Sequence, residues 1–139
     1  TGDLIRDRGH EYGTVTKRPR RCGWFDAVVA KFAVRTSGLT SMVINKIDTL
    51  SDIDKLKICV GYKKDDEIIS EFPPSLEELE KCEPIYEEVD GWSGDISNIR
   101  KFEDLPDNAK KYIKRIEEIC GCTVSMIGVG PGRDQNIIK

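Results

Sequence analysis

Hydrophobic positions along the chain fall into blocks of alternating period. In "WFDAVVAKFAVRTS" (Trp24 to Ser37), Phe25, Val28, Val29 and Phe32 recur at helical spacing, with Asp26 in the first turn and Gly38 as a stop. "TSMVIN" (Thr40 to Asn45) is short, apolar and β-branched, which predicts a buried strand. "KLKICVGY" (Lys55 to Tyr62) places Leu56, Ile58 and Val60 on one face, "KKDD" turns, and "EIISEF" (Glu67 to Phe72) returns as a hairpin. Ser75 and Glu78 match a capping box for a short helix. "PIYEEV" (Pro84 to Val89) reads as a strand.

The clearest element is "DNAKKYIKRIEEIC" (Asp107 to Cys120). Ala109, Tyr112, Ile113, Ile116 and Cys120 form one apolar stripe, between Pro106 at the start and Gly121 at the end. "TVSMIGVG" (Thr123 to Gly130) is a strand running into a glycine turn. Helices alternating with buried strands predict an α/β fold with mostly parallel strands, flanking helices and one antiparallel hairpin.

Composition narrows the possibilities. The 139 residues suit one domain, and 38% hydrophobic with 34% charged residues suits a packed core rather than disorder. No apolar run approaches the roughly 20 residues of a membrane helix, and the opening "TGDLIRDRGH" does not read as a secretory signal. That opening lacks Met and reads as the interior of a longer protein. Five cysteines, an odd number, fit free thiols in a reducing cytoplasm; Cys120-Gly121-Cys122 lacks the spacing of a zinc site. His10 is the only histidine, so neither a catalytic triad nor a multi-histidine metal site is expected. A net charge of -3 disfavours a general nucleic-acid surface.

Three stretches carry candidate chemistry. Asn45, Lys46 and Asp48 form N-K-x-D at the carboxyl end of a predicted strand, where open α/β sheets hold ligands. A carboxylate at Asp48 can accept from the two N–H donors of guanine, which adenine lacks, while the Lys46 stem can lie along the base; an ordinary polar loop after a strand is the competing explanation. "GVGPGRDQ" (Gly128 to Gln135) lets backbone approach a flat ligand or ribose, although an ordinary turn near a frayed end explains it equally well. No G-x-x-x-x-G-K-[ST] phosphate loop occurs. In "GTVTKRPRRCGWF", Lys17, Arg18, Arg20 and Arg21 crowd four cations into five positions of a slightly acidic chain. Arginine forks suit the paired oxygens of carboxylates and phosphates, so the cluster matches a small anion. A solvated basic loop and an RNA-binding patch are the competing explanations. The latter lacks interleaved aromatics until Trp24.

In order, "GTVTKRPRRCGW", "NKIDTL", "DGWSGD", "YIKRIEE" and "GVGPGR" resemble segments of the adenylosuccinate synthetase family: "GATTGRPRRCGW", "TKLDVL", "PGWSE", "YIKRIEE" and "STGPDR". "GHEYGT" just before fits as well. The resemblance covers essentially the entire chain and identifies it as the C-terminal part of a larger, P-loop-like, GTP-dependent ligase. It implies GTP-dependent joining of IMP and L-aspartate in AMP synthesis, in a cytoplasmic and homodimeric parent. The implied aspartate loop is Thr14, Val15, Thr16, Lys17, Arg18, Pro19 and Arg20. Within it Arg18 also reaches the IMP ribose, and Arg20 also lies toward GTP. Lys46, Ile47 and Asp48 would hold guanine, and Gly128, Val129 and Gly130 would line the base and ribose of GTP.

The chain departs from the family pattern at Val15 (usually Thr), Lys17 (Gly), Gly128 (Ser) and Val129 (Thr). The resemblance also implies that the phosphate loop, the catalytic Asp and His, and the Mg²⁺ ligands belong to an N-terminal part outside this sequence. No catalytic or metal-ligating residue is therefore expected here, and the chain alone is expected to be inactive. The alternative is a stand-alone guanine-nucleotide-binding module.

Overall fold

A computed structural model describes residues 1–139. The chain runs through α1 (Gly2–Arg8), β1 (Phe25–Asp26), α2 (Ala27–Ser37), β2 (Ser41–Ile44), a 3-10 turn (Ile47–Leu50), β3 (Lys55–Lys64), β4 (Glu67–Ile69), α3 (Leu76–Leu79), β5 (Glu83–Asp90), a second 3-10 turn (Phe102–Asp104), α4 (Asp107–Cys120), β6 (Thr123–Gly128) and β7 (Asn136–Ile138). No helix is long and apolar enough to cross a membrane.

Two sheets form. In the first, β5 lies antiparallel along one edge of β3. The other edge of β3 is shared by β1, parallel at Ile58 and Cys59, and β4, antiparallel from Tyr62 to Lys64. The second sheet has the order β2-β6-β7, with β2 and β6 parallel and β7 antiparallel. The expectation of mostly parallel strands is therefore corrected: only β1/β3 and β2/β6 are parallel, and the longest ladder, β3/β5, is antiparallel. Periodicity marks where strands lie, but edge choice depends on contacts distant in sequence.

The Ser41–Ile44 strand is also not buried. It is an edge strand alternating exposed Ser41 and Val43 with the inward Met42 and Ile44. Its apolar composition reflects one covered face rather than two.

The helix α4 follows the predicted boundaries, and all five stripe residues are buried. Ile113 and Ile116 are 0% exposed, each worth about 1.5–3 kcal/mol of burial. The stripe closes one core with Leu56 and Ile58 of the first sheet and Val124, Ile127 and Ile137 of the second. Gly121 adopts the left-handed conformation at its end (φ 65°). Burial pushes the Cys120 thiol up to about 11, as suits an inert core residue.

Helix α2 starts later than periodicity suggests. Phe25 lies in β1, and Asp26 is the N-cap, accepting from the amides of Val28 (3.0 Å) and Val29 (3.1 Å). Its second oxygen accepts from the Tyr62 hydroxyl at 2.6 Å. Val29 and Phe32 remain partly exposed, while Ala27 and Val28 take the buried positions. The Ser75 box forms only by half: Ser75 accepts from the Glu78 amide at 3.3 Å, while Glu78 pairs with Lys64.

Alternation in β3 also breaks. Beyond Ile58 the ladder to β5 shifts register between Cys59 and Gly61, and Cys59 and Tyr62 are buried beneath a second apolar cluster with Phe72 and Leu79. Neither α1 nor β7 was expected from the sequence. The latter makes the end of the chain a paired strand with Ile137 fully buried.

Candidate functional site

The parallel pairing of β2 with β6 places Ile44 opposite Ile127. Both strands therefore release their following loops at the same carboxyl end of the sheet, the position α/β folds use for ligands. The N-K-x-D loop and the glycine turn meet there. A Cβ on Gly128 would stand 2.8 Å from the Asn45 side-chain oxygen and 3.3 Å from the Asn45 Cα, so the two loops are in close contact.

Lys46 takes a left-handed backbone (φ 62°) and turns the chain into the 3-10 segment that carries Asp48. Thr49 holds this turn by donating its hydroxyl to the Lys46 carbonyl at 2.7 Å. Asp48 lines a small cleft of about 200 Å³ with Arg8, Gly9, His10, Lys46, Thr49 and Pro131. One Asp48 carboxylate oxygen is buried without any hydrogen-bond partner. Burial pushes this carboxyl above its ordinary value, opposed by the amides of Asp48 and Thr49 and by the Lys46 ammonium. A buried acceptor held unpaired in a cleft is poised for a ligand that brings donors.

Ile47 and Val129 have their side chains in the core. The Val129 amide is already donated to the Gln135 carbonyl at 2.9 Å. At those positions, and at Gly128, what remains for a ligand is main chain. Gly130 is packed beneath the Gln135 side chain, whose carbonyl oxygen accepts from the Gly132 amide at 2.6 Å.

The basic segment forms an exposed loop closed by main-chain bonds. Gly13 donates to the Arg18 carbonyl and Lys17 to the Gly13 carbonyl, both at 2.9 Å, and a bridge joins Tyr12 to Pro19. Lys17 adopts a left-handed conformation (φ 55°). This is the position where the resembling family has glycine, the residue that enters that region without a steric cost. Val15 protrudes at 91% exposure, and Thr14, Thr16 and Pro19 are exposed too. The side chains of Lys17, Arg18 and Arg21 make no ion pair or hydrogen bond within the chain, whereas Arg20 pairs with Glu11 at 2.8 Å.

Glu11 is the residue that sequence reasoning passed over. Its other oxygen pairs with the Lys46 ammonium, which also donates to the Gly9 carbonyl at 2.8 Å. Lys46, and then Arg20, hold the Glu11 carboxyl below the usual range. Of the predicted residues, the structure thus unites Lys46, Asp48 and the Gly128–Gly130 turn directly, and joins Arg20 to them through Glu11. Arg18 and the threonines have no such link. An isolated acid just before a basic run was the available signal.

The whole chain has known relatives. The family model for adenylosuccinate synthetase matches residues 1–137. The adenylosuccinate synthetase of Clostridioides difficile is 57% identical over 139 residues, all of this chain and 32% of that protein. The enzyme of that name from Caldanaerobacter subterraneus is 58% identical over 137 residues, 99% of this chain and 32% of its own length. A solved structure described as fully ligated adenylosuccinate synthetase from Plasmodium falciparum superposes with a TM-score of 0.94 at 40% identity, covering 99% of this chain and 34% of that one. The chain spans about a third of the length of the curated relatives it matches. With the match running through both site loops and the core behind them, the chain belongs to the adenylosuccinate synthetase family.

Proposed function

We propose that this chain is the C-terminal part of a GTP-dependent ligase that joins IMP and L-aspartate into adenylosuccinate, and that it supplies recognition rather than acid-base chemistry. Family membership and the order of the matched segments support this reading. The observation that carries it is the unpartnered, buried oxygen of Asp48, beside Lys46 and the glycine turn.

In this scheme Asp48 accepts from guanine N1–H and N2–H, and main chain at Gly128, Val129 and Gly130 borders the base and ribose. Arg18 and Arg20 hold the carboxylates of aspartate through forked, charge-assisted bonds, with Arg18 also near the IMP ribose. Thr14 and Thr16 add hydroxyls to the same loop. The N1 proton of IMP passes to a base in the N-terminal part as the γ-phosphoryl group of GTP passes to the IMP 6-oxygen, and GDP leaves. The aspartate amine then forms the C–N bond at C6 while the C–O bond breaks, releasing phosphate and the amine proton. Mg²⁺, whose ligands would lie outside this chain, would supply positive charge to the phosphates. Residues of this chain place the aspartate amine and the nucleotide base for those two steps.

The test is Asp48→Asn in the full-length protein. An amide can donate to the 2-oxygen of xanthine where a carboxylate repels it, so preference should shift from GTP toward XTP. Loss of the paired charged contact should cost about 2–4 kcal/mol in GTP recognition. Misfolding is separable by the sign of the stability change. Burial raises the Asp48 carboxyl in the folded state, so folded protein binds that proton more readily than unfolded chain. Stability from this group therefore falls as pH rises through the raised value. The Asn variant should melt no lower than wild type. Unchanged GTP KM would remove Asp48 from the nucleotide site.

A further inference from the structure

We propose that Glu11 is a positioning residue that couples the two ligand-recognition segments, its single carboxylate shared between the aspartate-loop Arg20 and the guanine-side Lys46. The inference rests on the ligase reading above and adds a residue and a linkage to it.

The geometry supports a bridge rather than an incidental surface pair. Each Glu11 oxygen serves a different cation, Oε2 facing Arg20 Nη1 at 2.8 Å and Oε1 facing Lys46 Nζ. The main chain of Glu11 is held at both ends: its amide donates to the Arg6 carbonyl at 2.8 Å, and its carbonyl accepts from the Arg20 amide at 2.9 Å. Lys46 is anchored twice, since Gly9 supplies a second acceptor. The Glu11 side chain is only 21% exposed, less than either Arg20 at 60% or Lys46 at 48%. It is thus the fixed member of the triad, and the two cations are the adjustable ones.

A carboxylate divided between two cations links their states. When a substrate carboxylate draws Arg20 away, the charge of Glu11 is left to Lys46, which is then held more firmly beside the base. When Lys46 is fixed by the base, its ammonium competes with Arg20 for Glu11, and Arg20 is easier to recruit. Coupling of this kind is reciprocal by thermodynamic necessity.

The experiment is a double-mutant cycle in the full-length protein, using Lys46→Gln and Glu11→Gln and reading the KM for aspartate and for GTP alongside kcat. Lys46 has no assigned contact with aspartate, yet Lys46→Gln should raise the aspartate KM about five- to tenfold. In the Glu11→Gln background the same change should add less than about twofold. Glu11→Gln alone should raise the GTP KM, since Lys46 loses the charge that holds it beside the base, with a smaller change in kcat. Glu11→Asp keeps the charge but loses the reach to span both cations; should Glu11→Gln fold poorly, the cycle is repeated with it. An aspartate KM indifferent to Lys46→Gln, or an effect that persists without Glu11, would overturn the bridge. Asp48→Asn run in parallel separates the two readings. If it leaves GTP use unchanged, the ligase site and the bridge both fall; if it weakens GTP use while the cycle shows no coupling, the bridge alone falls.

Discussion

At the residue scale, the cations of the basic segment are not equivalent. Arg20 is held by Glu11, whereas Arg18 and Arg21 project without partners, so electrostatic field alone does not distinguish the last two. Position does, because Arg18 lies inside the loop closed between Gly13 and Pro19 and Arg21 lies beyond it. Arg18→Leu and Arg20→Leu in the full-length protein should each reduce kcat/KM for aspartate by roughly a hundredfold, the loss of a forked partner for a carboxylate. Arg21→Leu should do less. Equal losses in all three would mean that the cluster acts as a diffuse positive field. The crowding of four cations into five positions was legible in sequence. The part played by Glu11 was not, because its two partners lie 9 and 35 residues away.

At the scale of elements, the "DGWSGD" segment shows how a loop fastens the site to the core. Gly91 donates to the Asp54 carbonyl at 2.9 Å, and a Cβ there would overlap the Ile53 carbonyl oxygen. Trp92 follows, buried at 4% exposure against Tyr112, with its indole N–H on the Ser51 hydroxyl at 3.1 Å. Ser51 ends the 3-10 turn that bears Asp48, so this crossing fixes where that turn sits. Gly91→Ala should cost about 2–3 kcal/mol by overpacking against main chain that cannot rotate away. The readouts are the denaturation midpoint and tryptophan emission, which should shift toward the red as Trp92 leaves Ser51. A variant with wild-type midpoint and emission would show that the crossing yields easily.

For the whole molecule, one core joins two sheets, and both candidate ligand loops lie at the carboxyl ends of β2 and β6. Matched relatives are about three times as long. If the proposed division of labour holds, the 139-residue chain supplied with IMP, aspartate, GTP and Mg²⁺ should make no adenylosuccinate, because that proposal leaves the phosphate cradle and the acid-base residues to the remainder of the protein. Binding should be weak as well, since an exposed loop without an opposing wall loses its full conformational entropy on closing. Phosphate release and adenylosuccinate absorbance are the measurements. Turnover by the chain alone would overturn the division of labour proposed here.

Local order was readable wherever one face of an element decides its conformation. The α4 stripe, its Gly121 stop and the β3–β4 hairpin follow from periodicity, propensity and turn chemistry within a few residues of each other. So did the residue types able to meet guanine or a carboxylate. Strand partners were another matter. The antiparallel β3/β5 ladder, the edge position of β2 and the closing strand β7 depend on pairings between distant segments, and an apolar run is silent about which neighbour covers it. The site itself is of this second kind. Asp48 became an unpartnered buried acceptor, and Glu11 a bridge between two cations, only when folding brought together residues that share no local pattern.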